Sequence, residues 1–368
     1  MISSKNVWLN IKFERFERIR LIMKKLKVGV IGCGNIFPMH AKSILLTEKA
    51  EVIAVCDVNE KRAISKATEY KCKYYTDYEK MIEESKLDIV HICTPHYLHL
   101  PMTVKLASHG INVITEKPIA LNSNDAKYMI DTCKDNDVYL GIIFQNRYNP
   151  GSVLVKNALQ TGKLGKTFSC RLIITWKRTD EYYKSTNWKG TLDKEGGGVI
   201  IDQAIHSLDL IRWFVDDEVE YVDCSMGTRQ HDSIEVEDYA EGYIKFRNNV
   251  FASFYTMNYN SYDAPIQIEL HCEKGIATVV GDSAEIEYAD GTKEYADVKP
   301  EEFIDFGEGA KSYWGTSHAK QINDFYEKII DKKLELNGKE AVKTQMLIDA
   351  IYKAGKSKKR VFLNDDKE

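Results

Sequence analysis

The chain has 368 residues, with 51 Lys plus Arg against 55 Asp plus Glu and a formal charge of −4. That balance excludes a strongly basic nucleic-acid binder, and 43% hydrophobic with 29% charged residues is globular usage, not disorder. The eight scattered cysteines form no CxxC pair, and no apolar run reaches the roughly 18 residues of a membrane helix. They read as free thiols of a cytoplasmic protein, with neither a disulfide framework nor a zinc knuckle.

In residues 1–24 charges interrupt every apolar stretch, so the segment is no secretory signal. A short basic amphipathic helix through Phe13, Phe16 and Ile19 is one reading; an extension ahead of a natural start at Met23 is the preferred one. Residues 1–24 are therefore expected to lie outside the fold and to be dispensable.

From residue 26 short apolar runs alternate with helical stretches. Strands are predicted over 26–31, 51–56, 88–93, 111–115 and 138–144. Helices are predicted after Asn35, after the cap Asn59, over 98–109, and after Asn122 or Ser123. This alternation predicts an α/β fold with a doubly wound parallel sheet over residues 25–147. Residues 148–368 change rhythm. Strand candidates at 166–178, 219–228, 238–247, 250–258, 266–272 and 284–288 are joined by short turns, with helices over 198–214, 317–332 and 340–354. A second α+β domain on a large, mainly antiparallel open sheet is expected there. Such a sheet has two faces, which predicts a homodimer or homotetramer.

Gly32-Cys33-Gly34 follows the first strand and opens a helix, as a tight turn against a pyrophosphate requires. Phe37 occupies the place of the third glycine in the dinucleotide-binding pattern. Asp57 ends the second strand, where a carboxylate accepts hydrogen bonds from an adenosine ribose and repels a 2′-phosphate. NAD is the expected cofactor and NADP the second candidate. Lys61 and Arg62 lie on the neighbouring helix. At later strand ends come Thr94-Pro95 with His96 and His99, and Glu116-Lys117-Pro118. A His-x-x-His spacing without a third ligand nearby gives no metal site. Gly196-Gly197-Gly198 precedes Asp202 and His206, whose i, i+4 spacing puts them on one face of a helix. The glycines are read as allowing close approach of backbone and substrate.

These motifs, in this order, resemble the glucose–fructose oxidoreductase / inositol dehydrogenase (Gfo/Idh/MocA) family, from about Lys25 to the C-terminus. The carrying residues are Gly32-Cys33-Gly34-Asn35-Ile36, Asp57, Thr94-Pro95 with His99, Glu116-Lys117-Pro118, and the glycine run through Asp202 and His206. Trp188-Lys189-Gly190-Thr191 and Ser317-His318 add to it. The resemblance implies catalytic Lys117, Asp202 and His206. It implies a cofactor site of Gly32, Gly34, Asn35, Ile36, Asp57, Thr94, Pro95, His99, Glu116 and Lys117. It also implies that the C-terminal segment returns to the first domain. Tyr182, Tyr183, Trp188 and His318 are substrate-side candidates, and Arg178 or Lys189 could hold an acidic group. The expected activity is NAD-dependent hydride transfer from a secondary hydroxyl of a sugar, cyclitol or derivative. An enzyme that recycles a retained NAD, of epimerase, lyase or glycosidase type, and a sugar-sensing regulator are the alternatives. Nucleic acid and membrane are not expected partners.

Overall fold

A computed structural model describes residues 25–307, 316–331 and 338–363. The expectation for residues 1–24 lies outside the described residues.

The first domain is a parallel sheet of six strands, β1 (Leu26–Ile31), β2 (Ala50–Cys56), β3 (Lys73–Tyr75), β4 (Ile89–Ile92), β5 (Asn112–Thr115) and β6 (Leu140–Ile142), in the order β3-β2-β1-β4-β5-β6. Helices α1 (Phe37–Leu46), α2 (Glu60–Tyr70), α3 (Tyr78–Glu84), α4 (His99–Ala107) and α5 (Ser123–Asp135) are interleaved with the strands. All of β4 and the last four residues of β1 are buried, as expected of central strands covered on both faces. The predicted caps are made: Asn59 accepts from the Arg62 amide and Asn122 from the Asp125 amide. The strand order reverses between β1 and β4, the switch point where doubly wound sheets hold ligands in the crevice outside the carboxyl ends of their strands.

The second domain opens with α6 (Pro150–Gln160), β7 (Thr167–Thr175) and the short α7 (Asp180–Lys184). A π-helical turn, Val199–Ala204, then runs directly into α8 (Ile205–Val215). The sheet is completed by β8 (Val219–Gly227), β9 (Tyr239–Phe246), β10 (Phe251–Met257), β11 (Gln267–Cys272), β12 (Gly275–Val280), β13 (Ser283–Tyr288), β14 (Lys293–Ala296) and the C-terminal β15 (Val361–Phe362). Its nine strands run β14-β13-β12-β11-β7-β10-β9-β8-β15, antiparallel except for the β7–β10 pair. Period-two burial is plain in β10, where Ala252, Phe254 and Thr256 face inward and Phe251, Ser253 and Tyr255 outward.

Two later helices tie the halves together. Helix α9 (Thr316–Ile330) packs against α1 and buries Phe325 and Tyr326 among Val28, Val30 and Ile114 of the first domain. Helix α10 (Gly338–Ser357) lies between α5 and β8. Among the described residues, no helix is long and apolar enough to cross a membrane.

Candidate active site

The crevice fits a dinucleotide. Gly32 has φ +94°, and a side chain there would collide with the Cys93 carbonyl, so the turn lies tight against β4. At Gly34 the nearest atom to an added side chain is Arg62 Nη1, 3.8 Å away, which leaves the backbone at the start of α1 open to a phosphate. Phe37 does not crowd the helix against the sheet: it is buried in the core, edge-on to Tyr70. Asp57 lies against the glycine turn. Its Oδ2 accepts from the Cys33 amide at 2.9 Å and its Oδ1 from the Asn59 amide at 2.8 Å. Each oxygen keeps acceptor capacity for a ribose hydroxyl. Arg62 Nε stands 3.6 Å from Oδ2 on the exposed side.

At the other end of the crevice Lys117, just beyond β5, crosses to the second domain. Its ammonium donates to the Asp202 carbonyl at 2.6 Å and to Asp202 Oδ1 at 3.1 Å. Asp202 sits within the π-helical turn, whose i→i+5 winding differs from an α-helix. The neighbour rule that pairs i with i+4 therefore does not apply, and Asp202 makes no hydrogen bond to His206. The two are joined through Lys117, whose charge acts on both.

The glycine run serves the protein's own interior. Side chains at Gly197 and Gly198 would collide with the Tyr352 hydroxyl and the Glu237 carbonyl. Glu237 accepts from the Gly198 and Ile200 amides and from the Tyr352 hydroxyl, each at 3.0 Å, and so seats the turn that carries Asp202. The glycines thus bring protein against protein where close approach of substrate was expected.

Neither ring nitrogen of His206 makes a hydrogen bond, and Nδ1 is buried. The ring lies edge-on to Phe144. Burial, with the nearby Lys117 charge, pushes its pKa down to about 3, so at neutral pH it is an unprotonated base. Asp202 is the opposite case. Burial alone would raise its carboxyl, but Lys117 and Lys189 outweigh burial and hold it well below the usual carboxylate range. The Tyr182 hydroxyl donates to Oδ2 at 2.9 Å, Gln203 Nε2 donates to the same oxygen, and His96 Nε2 lies 3.8 Å from Oδ1. Glu195, buried nearby, is pushed up to about 8, first by burial and then by Asp202.

The other predicted residues are dispersed. Thr94 and Pro95 border the crevice after β4, and the Thr94 hydroxyl reaches Met102 Sδ. His99 is fully buried between the carbonyls of Pro118 and Thr94, at 2.7 and 3.0 Å, and braces both loops from behind. Glu116 turns inward to His40 and His318. Tyr183 points into the second-domain interior, where its hydroxyl accepts from Asn258, and its neighbour Tyr182 is the one that reaches Asp202. Trp188 packs against His96 at 4.9 Å. Arg178 pairs with Asp263, and Lys189 lies over Tyr182, touching its hydroxyl. Sequence reasoning named Tyr182 with Tyr183 and Trp188 as sugar-facing aromatics and put His96 in a loop bordering the cofactor, but it did not place Gln203 and Glu195 in the site. A glutamine beside Asp202 and a lone acid before a glycine run carry no signal of their own.

The comparisons agree with this geometry. Residues 26–144 match the oxidoreductase family with an NAD-binding Rossmann fold, and residues 153–278 match the GFO/IDH/MocA C-terminal domain. Oxidoreductase P35 of Formosa agariphila is 27% identical over 255 residues, 68% of this chain and 78% of that protein. Myo-inositol 2-dehydrogenase of Thermotoga maritima is 29% identical over 198 residues, 54% of this chain and 57% of that protein, so the match spans little more than half of it. The WlbA dehydrogenase of Bordetella pertussis, solved with NADH and UDP-GlcNAcA, superposes with a TM-score of 0.81 at 27% identity, over 93% of this chain and 99% of that one. A crevice shaped for a dinucleotide thus stands on a chain matched in both its halves, and the chain belongs to the Gfo/Idh/MocA family of oxidoreductases, with NAD as its cofactor.

Proposed function

We infer that the protein is a dehydrogenase that oxidises a secondary hydroxyl of a sugar, cyclitol or sugar derivative. One observation carries the reading: an unpartnered, neutral His206 stands beside a Lys117 that reaches across the cleft to Asp202. NAD, when bound, supplies the hydride acceptor. Lys117 holds the substrate oxygen and stabilises the charge that develops on it. His206 takes the hydroxyl proton without breaking any bond it already makes. Asp202, clamped by Tyr182 and Gln203, holds the Lys117 ammonium in place. Tyr183 is turned to Asn258, so Tyr182, Lys189 and His96 around Asp202, with Trp188 packed against His96, are the candidates for contact with substrate, and His318 beside Glu116 is kept as a further one.

A second copy of the chain is the proposed cover for the outer face of the nine-stranded sheet. Phe251 is 44% and Phe362 57% exposed there, beside Tyr221 and Tyr243. A dimer or tetramer in sedimentation, dissociated by Phe251→Glu, supports this; a stable monomer at micromolar concentration opposes it. Eight free thiols support a cytoplasmic location.

The deciding assay follows NADH appearance with free sugars, inositols, sugar acids, glycosides and nucleotide sugars, together with mass analysis of protein-bound cofactor. Stoichiometric NADH with one class supports the dehydrogenase. Product formed without net NADH, on a retained cofactor, replaces it with the recycling alternative. NAD binding with no turnover of any class leaves the sensor reading.

A further inference from the structure

Below the carboxyl edge of the first sheet runs a buried polar chain that the proposed proton transfer does not use. Tyr326 of α9 places its hydroxyl 2.8 Å from His91 Nε2 on β4. His91 Nδ1 lies 2.8 Å from His40 Nδ1 on α1, and His40 Nε2 lies 2.9 Å from Glu116 Oε1 beyond β5. His318 Nε2 is 3.3 Å from the same oxygen, and the Lys117 amide donates to Oε2 at 3.3 Å. Tyr326, His91 and His40 are fully buried, His318 almost so.

The direction of these bonds is determined. Burial lowers the pKa of both His40 and His91, so each is neutral and carries one N–H. Burial alone would raise the Glu116 carboxyl, but the bonds from His318 and His40 outweigh it and hold it well below the usual range. A carboxylate only accepts, so His40 carries its proton on Nε2 and accepts at Nδ1. His91 must then carry its proton on Nδ1 and accept at Nε2, and the Tyr326 hydroxyl donates. Reversing one member would set lone pair against lone pair in a buried site.

We propose that this one-way chain makes Glu116 a positioning residue, whose fixed negative charge beside the Lys117 backbone favours the oxidised, cationic nicotinamide over the reduced, neutral one. Glu116 ends a strand on the edge where the dinucleotide lies. It acts through space on His206, as Lys117 does. Because Tyr326 and His318 both come from α9, the C-terminal segment must dock on the first domain for the charge to be set. The inference rests on NAD alone and is independent of the substrate class.

The test reads cofactor binding and proton position, not turnover. Long-range ¹⁵N–¹H NMR of the cofactor-free protein should find His40 as the Nε2–H tautomer and His91 as the Nδ1–H tautomer. Calorimetry and NADH fluorescence then give separate affinities for NAD⁺ and NADH. In Glu116→Gln the NAD⁺-to-NADH affinity ratio should fall by roughly tenfold, the scale of one screened charge at short range. Tyr326→Phe should move the ratio the same way by less, and Glu116→Asp should restore part of it. An unchanged ratio in a folded Glu116→Gln variant overturns the proposal, as do the opposite tautomers. His40, Glu116 and His318 also hold their ligand atoms within 4.8 Å of one another, close enough for a divalent cation. Stoichiometric Zn²⁺ uptake that moves the His40 proton to Nδ1 would likewise overturn it, making the cluster a metal site.

Discussion

Lys117 of the first domain grips Asp202 of the second with one ammonium, through the backbone carbonyl at 2.6 Å and the carboxylate at 3.1 Å. The contact joins the two domains at the point where the proposed reaction brings a hydroxyl to the nicotinamide. It also puts a fixed cation beside His206, which makes the titration of that imidazole a reporter of the Lys117 charge.

Lys117→Ala should therefore raise the His206 pKa from about 3, because a neighbouring cation disfavours the imidazolium. The value should stay below 6.5, since burial is the larger cause and remains. NMR titration of His206 in both proteins checks this. A midpoint that does not move would mean that Lys117 and His206 are not electrostatic neighbours.

His206→Ala should lose turnover by about 10²–10⁴-fold, the usual cost of removing a general base. NAD affinity should survive, because the glycine turn and Asp57, the proposed dinucleotide site, are untouched. Losses in Lys117→Ala and His206→Ala should fall well short of multiplying in the double variant, since both act on one oxygen. Near-normal turnover of His206→Ala across the pH range on a validated substrate would make the imidazole structural.

Asp57→Ala should weaken NAD binding and narrow its advantage over NADP. Each charge-assisted bond to a ribose hydroxyl is worth about 1.5–3 kcal/mol, and the variant leaves Arg62 facing the same space without its acid. Arg62→Ala, in contrast, should weaken NADP more than NAD. Tighter binding of NADP than NAD by the unmodified protein would refute the assignment of Asp57.

Some features were legible in the sequence because they are local. The buried strands β1, β2 and β4 show as mainly apolar runs, and the caps Asn59 and Asn122 precede their helices. Strands β3 and β14 were missed because they are short and largely exposed, so they bear no core pattern. The π-helical winding at Asp202 was invisible because its cause is remote: Glu237 and Tyr352 seat the turn from 39 and 151 residues away. The His40–His91–Glu116–Tyr326 chain was hidden for the same reason, since α9 meets β4 over 235 residues.

The buried imidazoles predict loss of stability in acid. His96 and His206 have pKa values near 3, and His40, His91 and His99 are also lowered by burial. In the unfolded chain each titrates near 6.5, so the unfolded state binds more protons below that value. The stabilisation is full above about pH 6.5 and is lost progressively as pH falls, by about 1.4 kcal/mol per pH unit for each imidazole that must charge. Glu195, raised to about 8, works in the opposite sense. It binds more protons folded than unfolded between its ordinary value and 8, so its contribution falls as pH rises through that window. Urea unfolding at pH 5, 6, 7 and 8 should show the steepest decline below 6.5; equal stability at pH 5 and 7 would contradict the neutral, buried histidines.

Asp209 should be among the most sensitive positions outside the reaction chemistry. It is 1% exposed, accepts two bonds from Arg147 at 2.7 Å each, and takes a third from Thr344 at 2.7 Å. Those partners come from the segment after β6 and from α10, so a single carboxylate joins α8 to both. Asp209→Ala leaves Arg147 desolvated without its counter-charge, and removing one partner of such a pair costs about 3–5 kcal/mol. Asp209→Asn keeps an acceptor for Arg147 and should cost less. Asp209 also lies one turn beyond His206 on α8, so the Ala variant should lose turnover even below its melting temperature. Chemical unfolding of both variants, with turnover measured at 15 °C on the folded fraction, separates the effects. An Asp209→Ala protein as stable as the parent would show that Arg147 finds water or Glu340 instead, and that the pair does not hold the helix.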